Sequence, residues 1–474
     1  MAVRRSGRLR PGDVARRAGR TTRPLSAVIE RRRRGAPERR RGVDQVDRRL
    51  RLADTDLGRL VERFGSPLHV LDLDELHRRL ASATSGVRPM ASVEAFRPSA
   101  VLSAAHARGW GVIARSTAEV DAAAVAGVEA SAIVFAPAVA DRASLEDAAA
   151  RGVGRVQLGS PRDADRWSAV SVQQAVPPIE SSIGVRWEVG HVAAAPSALD
   201  AVTERASATV RRCRALGLSP AAIAIVCDGP PIATSDVAEL CHAITAIVAR
   251  IGPQLDERPT TITVHVDLLP ARSRRLGAIE SRLNRVLGAP LRAPDGAALP
   301  TGAAVEQLRD AVRGAGPGSI IPDAAIELST GSSVPASSQL MLTSVVDRGR
   351  NGPVDYVMLD AGINLVEDAL VVHREIVPVD RRRGAASGPV RLVGPICTPA
   401  DVLAANSWLP DPDVGDVLAM FDTGGASLGR ETMFSFPRPA VVGVSRSADP
   451  VVLRRAETFE DLVSLDALGD LIRG

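Results

Sequence analysis

From about residue 54 the chain alternates short β-branched, apolar runs with alanine-rich segments whose apolar positions recur at helical spacing, and nothing else in the sequence limits the fold as strongly. Strand-length runs separated by helix-length segments describe βα units, whose strands pair in parallel through helical crossovers. Eight runs are legible: Leu68–Leu71, Met90–Val93, Gly111–Ala114, Ala132–Phe135, Arg155–Leu158, Ile183–Trp187, Ile223–Cys227 and Thr261–Leu268. Segments such as Ala118–Ala126, Leu199–Leu216 and Val237–Ile251 separate them as helices. Eight such units close most economically into a (β/α)8 barrel with its helices outside. After about Pro317 the texture changes to strand-like runs broken by Gly, Pro and Asp, among them Tyr356–Leu359, Val390–Val393, Asp416–Phe421 and Ala440–Val444. These predict an all-β C-terminal domain. The expected organisation is a leader over 1–50, a barrel over 51–317 and a β domain over 318–474.

All 59 basic side chains are arginine, because the chain contains no lysine. Any chemistry that needs a side-chain primary amine is excluded: a guanidinium, with a pKa above about 12, forms no stable imine with an aldehyde. The arginines are unevenly placed. Residues 1–50 carry 17 of them against five acids, a net of +12, while the remainder carries 42 against 50 acids, a net of −8. A leader this charged, with few large apolar residues, is expected to be disordered. It reads as a solvated tail, or as sequence translated ahead of the true start, in preference to an arm for an acidic or nucleic-acid partner. Cys213, Cys227, Cys241 and Cys397 show no paired metal-ligand spacing and read as reduced thiols. No run reaches the roughly 18–20 apolar residues of a membrane span, and the N-terminus lacks the apolar core of a secretory signal, so a cytoplasmic location is expected.

Several ordered segments carry a family resemblance. Phe64-Gly65-Ser66-Pro67-Leu68-His69-Val70 is similar to "YGTPLYV", Asp360-Ala361-Gly362-Ile363-Asn364 to "DAGMN", and Val393-Gly394-Pro395-Ile396-Cys397 through Leu403 to "VGPVCESGDVL". Gly415 to Ala419 and Pro437 to Ala440 follow as counterparts of "GDLLA" and "RPRPA". Over roughly residues 54–465 the chain resembles the fold-type III pyridoxal-phosphate decarboxylases of diaminopimelate, ornithine and arginine. The resemblance implies a barrel of the alanine-racemase and decarboxylase type followed by a β domain, and a head-to-tail dimer.

The site positions that the resemblance implies are altered. The lysine that carries pyridoxal phosphate in "YAxKAF" falls on Glu94 of Ala91-Ser92-Val93-Glu94-Ala95-Phe96. The histidine of "HIGS", which packs on the cofactor ring, falls best on Cys227, with His191 a poorer match. The glycine loop whose amides hold the phosphate falls on Val266, Asp267 and Leu268, and the arginine of "EPGR" on Ser332. The tyrosine of "DAGAY" falls on Ala426. Of the "CESxD" set that the partner subunit supplies, Cys397 and Asp401 remain while Thr398 and Pro399 replace the acid and the serine. Neither a catalytic nor a cofactor-binding set is therefore expected, and Cys397 reads as a buried or interface thiol.

What remains at the strand ends could do other work. Thr263, His265 and Asp267 alternate onto one face of a strand, so His265 and Asp267 are weak candidates for a metal pair, with Glu94 and Asp228 converging from elsewhere. A satisfied interior histidine is the preferred reading of His265. Ser116 and Glu119, in the "SGGEL" region, read as a helix cap. Two functions follow: a pseudoenzyme with a regulatory or assembly role in amino-acid metabolism, as a homodimer or a heterodimer with a related decarboxylase, or an enzyme using the barrel mouth without pyridoxal phosphate.

Overall fold

The computed structural model describes residues 43–46, 49–82, 86–173, 179–188, 196–232, 237–257, 259–270, 273–275, 301–314, 324–351, 354–380 and 389–466. Most of the arginine-rich leader, and His191, lie outside these residues. Regular structure is already present ahead of the expected boundary at 51. Arg49–Leu52 is a strand, Leu50 is buried, and its amide donates to the Val379 carbonyl at 3.0 Å.

Eight parallel strands close a barrel: Arg88–Ser92, Gly111–Ala114, Ile133–Phe135, Arg155–Leu158, Glu180–Glu188, Ala222–Ile232, Thr261–Leu268 and Ala325–Ser329. Ala325–Ser329 completes the circle by pairing with Thr261–Leu268 on one side and Arg88–Ser92 on the other. Two expectations are corrected here. Leu68–Asp72 is not the first barrel strand but lies in the other sheet, antiparallel to Gln339–Asn351 and parallel to Val441–Ser445. The eighth barrel strand is Ala325–Ser329, beyond the expected boundary at 317.

The period of two in each strand divides the barrel into an outer shell and an axis. Ala91, Val112, Phe135, Val156, Ile183, Ile225, Val264 and Leu328 belong to one large cluster between the strands and the helices around them. Full burial of each large apolar side chain contributes about 1.5–3 kcal/mol. Met90, Ile113 and Val134, on the opposite parity, form a separate cluster with Ala136 inside the barrel. The rest of the axis is polar. Arg155 Nη1 donates to Glu327 Oε2 at 2.8 Å, and Thr263 Oγ1 donates to the same oxygen at 2.7 Å. The strands of Arg155 and Glu327 are not neighbours, so this ion pair crosses the interior.

The C-terminal region forms a nine-stranded sheet in the order Val402–Trp408, Pro389–Val393, Val354–Leu359, Gln339–Asn351, Leu68–Asp72, Val441–Ser445, Ala448–Arg454, with Ile376–Pro378 and Val417–Phe421 paired off this path. Barrel and sheet belong to one compact unit, Gln45–Gly474. No helix among the described residues is long and apolar enough to cross a membrane.

Candidate functional site

Residues at the C-terminal ends of the barrel strands meet connections of the second sheet. Glu94 follows the strand Arg88–Ser92. Its carboxylate is bonded by Arg430 Nε, and Arg430 Nη1 reaches Glu367 Oε1 at 2.5 Å. One arginine of the C-terminal region therefore ties the barrel to Glu367 in the other sheet's connections. The approach is close: a Cβ at Gly429 would lie 2.0 Å from the Glu94 carbonyl oxygen, so glycine is required there. The next residue fixes the segment. Glu431 is buried and accepts from His69 Nε2 at 2.6 Å, while Gln339 Nε2 donates to His69 Nδ1 at 3.0 Å, so His69 carries its proton on Nε2. Arg454 pairs with the other Glu431 oxygen at 2.6 Å.

A second contact spans the mouth. Arg115 Nη2 donates to His265 Nε2 at 2.6 Å across strands that are not neighbours. Burial, with Arg115 and Arg186 nearby, pushes the His265 pKa down to about 3. A neutral imidazole whose Nε2 already accepts from a guanidinium is committed to that contact, and among the described residues no cluster of three or more His, Cys, Asp or Glu could hold a metal ion. His265 and Asp267 share a strand face as expected but gain no third ligand among the described residues. The side chains of Asp228, Glu188 and Ala426 lie outside the described ones.

Asp267 is the third feature. Its Oδ1 accepts the Ser332 amide at 2.8 Å, and burial pushes its pKa up to about 6, against the lowering effects of that amide and of Arg430; Asp368 and Glu94 add to the rise. It lines a cavity of about 250 Å³ with Ser332, Glu367, Asp368, Arg374 and Arg430. Val266 and Leu268, on the opposite parity, belong to the outer cluster. The same parity corrects the expectation at Cys227. Its side chain joins the outer cluster between strands and helices, so it is not aimed at the axis as a ring-stacking residue must be. Of the retained pair, Cys397 is exposed and not buried, while Asp401 is buried and clamps two turns by accepting the Ile363 and Ile396 amides at 2.9 and 2.8 Å. Ser116 accepts the Glu119 amide at 3.2 Å as a cap should, and Glu119 Oε2 accepts from the Arg115 amide at 2.7 Å.

The titrations of Asp267 and His265 give a checkable signature. Between about pH 4 and 6 the native state holds a proton on Asp267 that the unfolded chain has lost, so stability falls as pH rises, with a limiting slope near 1.4 kcal/mol per pH unit. His265 does the reverse over the same window: the unfolded chain binds a proton that the native imidazole refuses, so stability rises with pH. The two slopes oppose each other in the native sequence. Asp267→Asn should unmask the rising His265 slope in urea denaturation between pH 4 and 6, and an unchanged profile would show that one of the two groups does not titrate in this way.

Comparison with known proteins closes the case for the family. Residues 68–424 match the family model described as "Pyridoxal-dependent decarboxylase, C-terminal sheet domain". The chain belongs to this decarboxylase family. A diaminopimelate decarboxylase of Archaeoglobus fulgidus is 32% identical over 149 residues, which are 31% of this chain and only 35% of that relative. The corresponding protein of Mycobacterium leprae is 24% identical over 461 residues, 88% of this chain and 89% of its own. In structure, a diaminopimelate decarboxylase from M. jannaschii solved with L-lysine superimposes with a TM-score of 0.75 at 15% identity, over 90% of this chain and 98% of that one. That likeness shows the shared barrel and sheet.

Sequence reasoning reached Glu94, His265, Asp267 and Asp401 but missed Arg430, Glu367 and Arg374. A signal existed: Arg430 stands four residues past Ala426, and Glu367 three past Asn364, both next to segments already quoted for the family.

Proposed function

We propose that this decarboxylase-family chain does not carry out pyridoxal-phosphate chemistry and serves as a scaffold with a regulatory or assembly role in amino-acid metabolism. One observation carries the reading: at the position of the family's imine-forming lysine stands Glu94, held by Arg430, in a chain that has no lysine. The residues present do not fit the cofactor. A carboxylate cannot form an imine, and Asp267 occupies the amide of Ser332 where the relatives' glycine loop and arginine would serve a phosphate. The purified chain should release no CO2 from diaminopimelate, lysine, ornithine or arginine with pyridoxal phosphate supplied; turnover above background would end the reading.

The scaffold role draws support from the retained Asp401 clamp, which keeps Cys397 and its loop in shape at the surface although no catalytic set accompanies them. The chain is proposed to pair with itself or with a related decarboxylase. Light scattering after size exclusion should give a mass twice that of one chain alone, or a mixed dimer when a catalytic relative is co-expressed. A monomer under both conditions would contradict it.

A further inference from the structure

We infer that Asp267 is the residue that denies the cavity at the barrel mouth to phosphate-bearing ligands, and that a latent anion pocket lies beside its carboxylate. The inference rests on the reading above and deepens it, naming a single residue as the gate.

Three carboxylates line the cavity, and two of them are spent. Glu367 is paired with Arg430 at 2.5 Å and Asp368 with Arg374 at 2.6 Å. Among the described residues Asp267 has no ion-pair partner, and its one bond is to the Ser332 amide. Its place is prepared by the chain. Gly331 has φ +57°, and a Cβ there would lie 2.4 Å from Asp267 Oδ1, so any other residue would displace the carboxylate. Asp267 thus behaves as an anion supplied from within, taking the kind of amide donor that a bound anion would use.

The cationic side of the cavity is incompletely used. Arg374 is only 6% exposed; its Nε donates to the Asp422 carbonyl at 2.9 Å and its Nη2 to Asp368, while Nη1 has no partner among the described residues. A buried guanidinium nitrogen without an acceptor is a rare arrangement. Arg374, Arg430 and the Ser332 amide together are the donor set an oxyanion takes, and a volume of about 250 Å³ has room for one. With Asp267 ionised, a phosphate dianion would meet a bare carboxylate at contact range in a poorly screened site, and like charges there exclude each other.

The test is titration calorimetry of the full chain with inorganic phosphate and with pyridoxine 5′-phosphate, which carries no aldehyde and so needs no amine; unphosphorylated pyridoxine is the control. The native sequence should show no saturable binding of either phosphate at millimolar concentration. Asp267→Asn, which removes the charge, and Asp267→Gly, which also frees the Ser332 amide, should each bind pyridoxine 5′-phosphate at least about tenfold more tightly than any residual binding by the native chain, and adding Arg374→Gln should remove the gain. Saturable phosphate binding by the native chain, or folded Asn and Gly variants that gain nothing, would overturn the gate. Neither result touches the wider reading, which falls on CO2 release by the native chain.

Discussion

Glu327→Ala is expected to cost about 3–5 kcal/mol of unfolding free energy. The Glu327 side chain is 2% exposed and that of Arg155 10%, and their bond runs across the barrel interior, not along its surface. Removing the carboxylate leaves the guanidinium inside the barrel with its second carboxylate, Glu180, at 3.4 Å on an exposed side chain. Surface pairs such as Arg211 with Glu204 are worth about 1 kcal/mol or less, because both ions keep most of their hydration. The decisive comparison is with the double variant Glu327→Ala and Arg155→Met, which removes both charges and should recover a large part of the loss. If Glu327→Ala alone shifts urea unfolding by less than about 1 kcal/mol, water reaches the axis and the interior pair has been overvalued.

Glu94→Lys is expected to restore the amine and nothing else. Enzymes of this chemical ambition gain at least about 10⁶-fold over the uncatalysed reaction, and the variant should gain no measurable decarboxylation. The restored amine would face Arg430, so one cation opposes another where an ion pair stood, and the Arg430 tie between barrel and C-terminal region is lost, leaving Arg430 with Glu367 inside the C-terminal region. The phosphate end of the site would still present Asp267 on the Ser332 amide. A modest loss of stability, about 1–2 kcal/mol for a partly exposed pair converted to repulsion, should accompany the inactivity. Measuring CO2 release with pyridoxal phosphate present, alongside the melting curve, separates the two effects. Appreciable turnover by this single variant would show that the remaining positions have been misassigned.

The barrel was legible because eight parallel strands need crossover helices, and that need writes a regular alternation of run lengths into the sequence. The error over Leu68–Asp72 has a physical origin. All five of its residues are buried, as in a central parallel strand, and the sequence cannot say whether the neighbours that bury it belong to the barrel or to the later sheet. Ala325–Ser329 was hidden for the opposite reason: Glu327 interrupts its apolar run, and only the charge waiting across the axis on Arg155 explains a carboxylate there. In the site, Glu94 could be found by local motif. Its partner Arg430 is 336 residues away, and Arg430 reaches Glu367 over another 63, so no spacing rule relates the three. Asp267 was visible as a polar residue on one strand face, but its role as an unpaired charge depended on learning that Glu367 and Asp368 are already taken. Cys227 shows the limit of motif matching without parity, since a shift of one residue along a strand exchanges axis for outer shell.

The most direct measurement is covalent capture. The intact chain is incubated with pyridoxal phosphate, reduced with borohydride, digested and mapped by mass spectrometry. The account predicts that no internal residue carries the reduced adduct and that any label is confined to the terminal α-amine. A stoichiometric adduct on an interior peptide, with the absorbance of a bound imine before reduction, would contradict it.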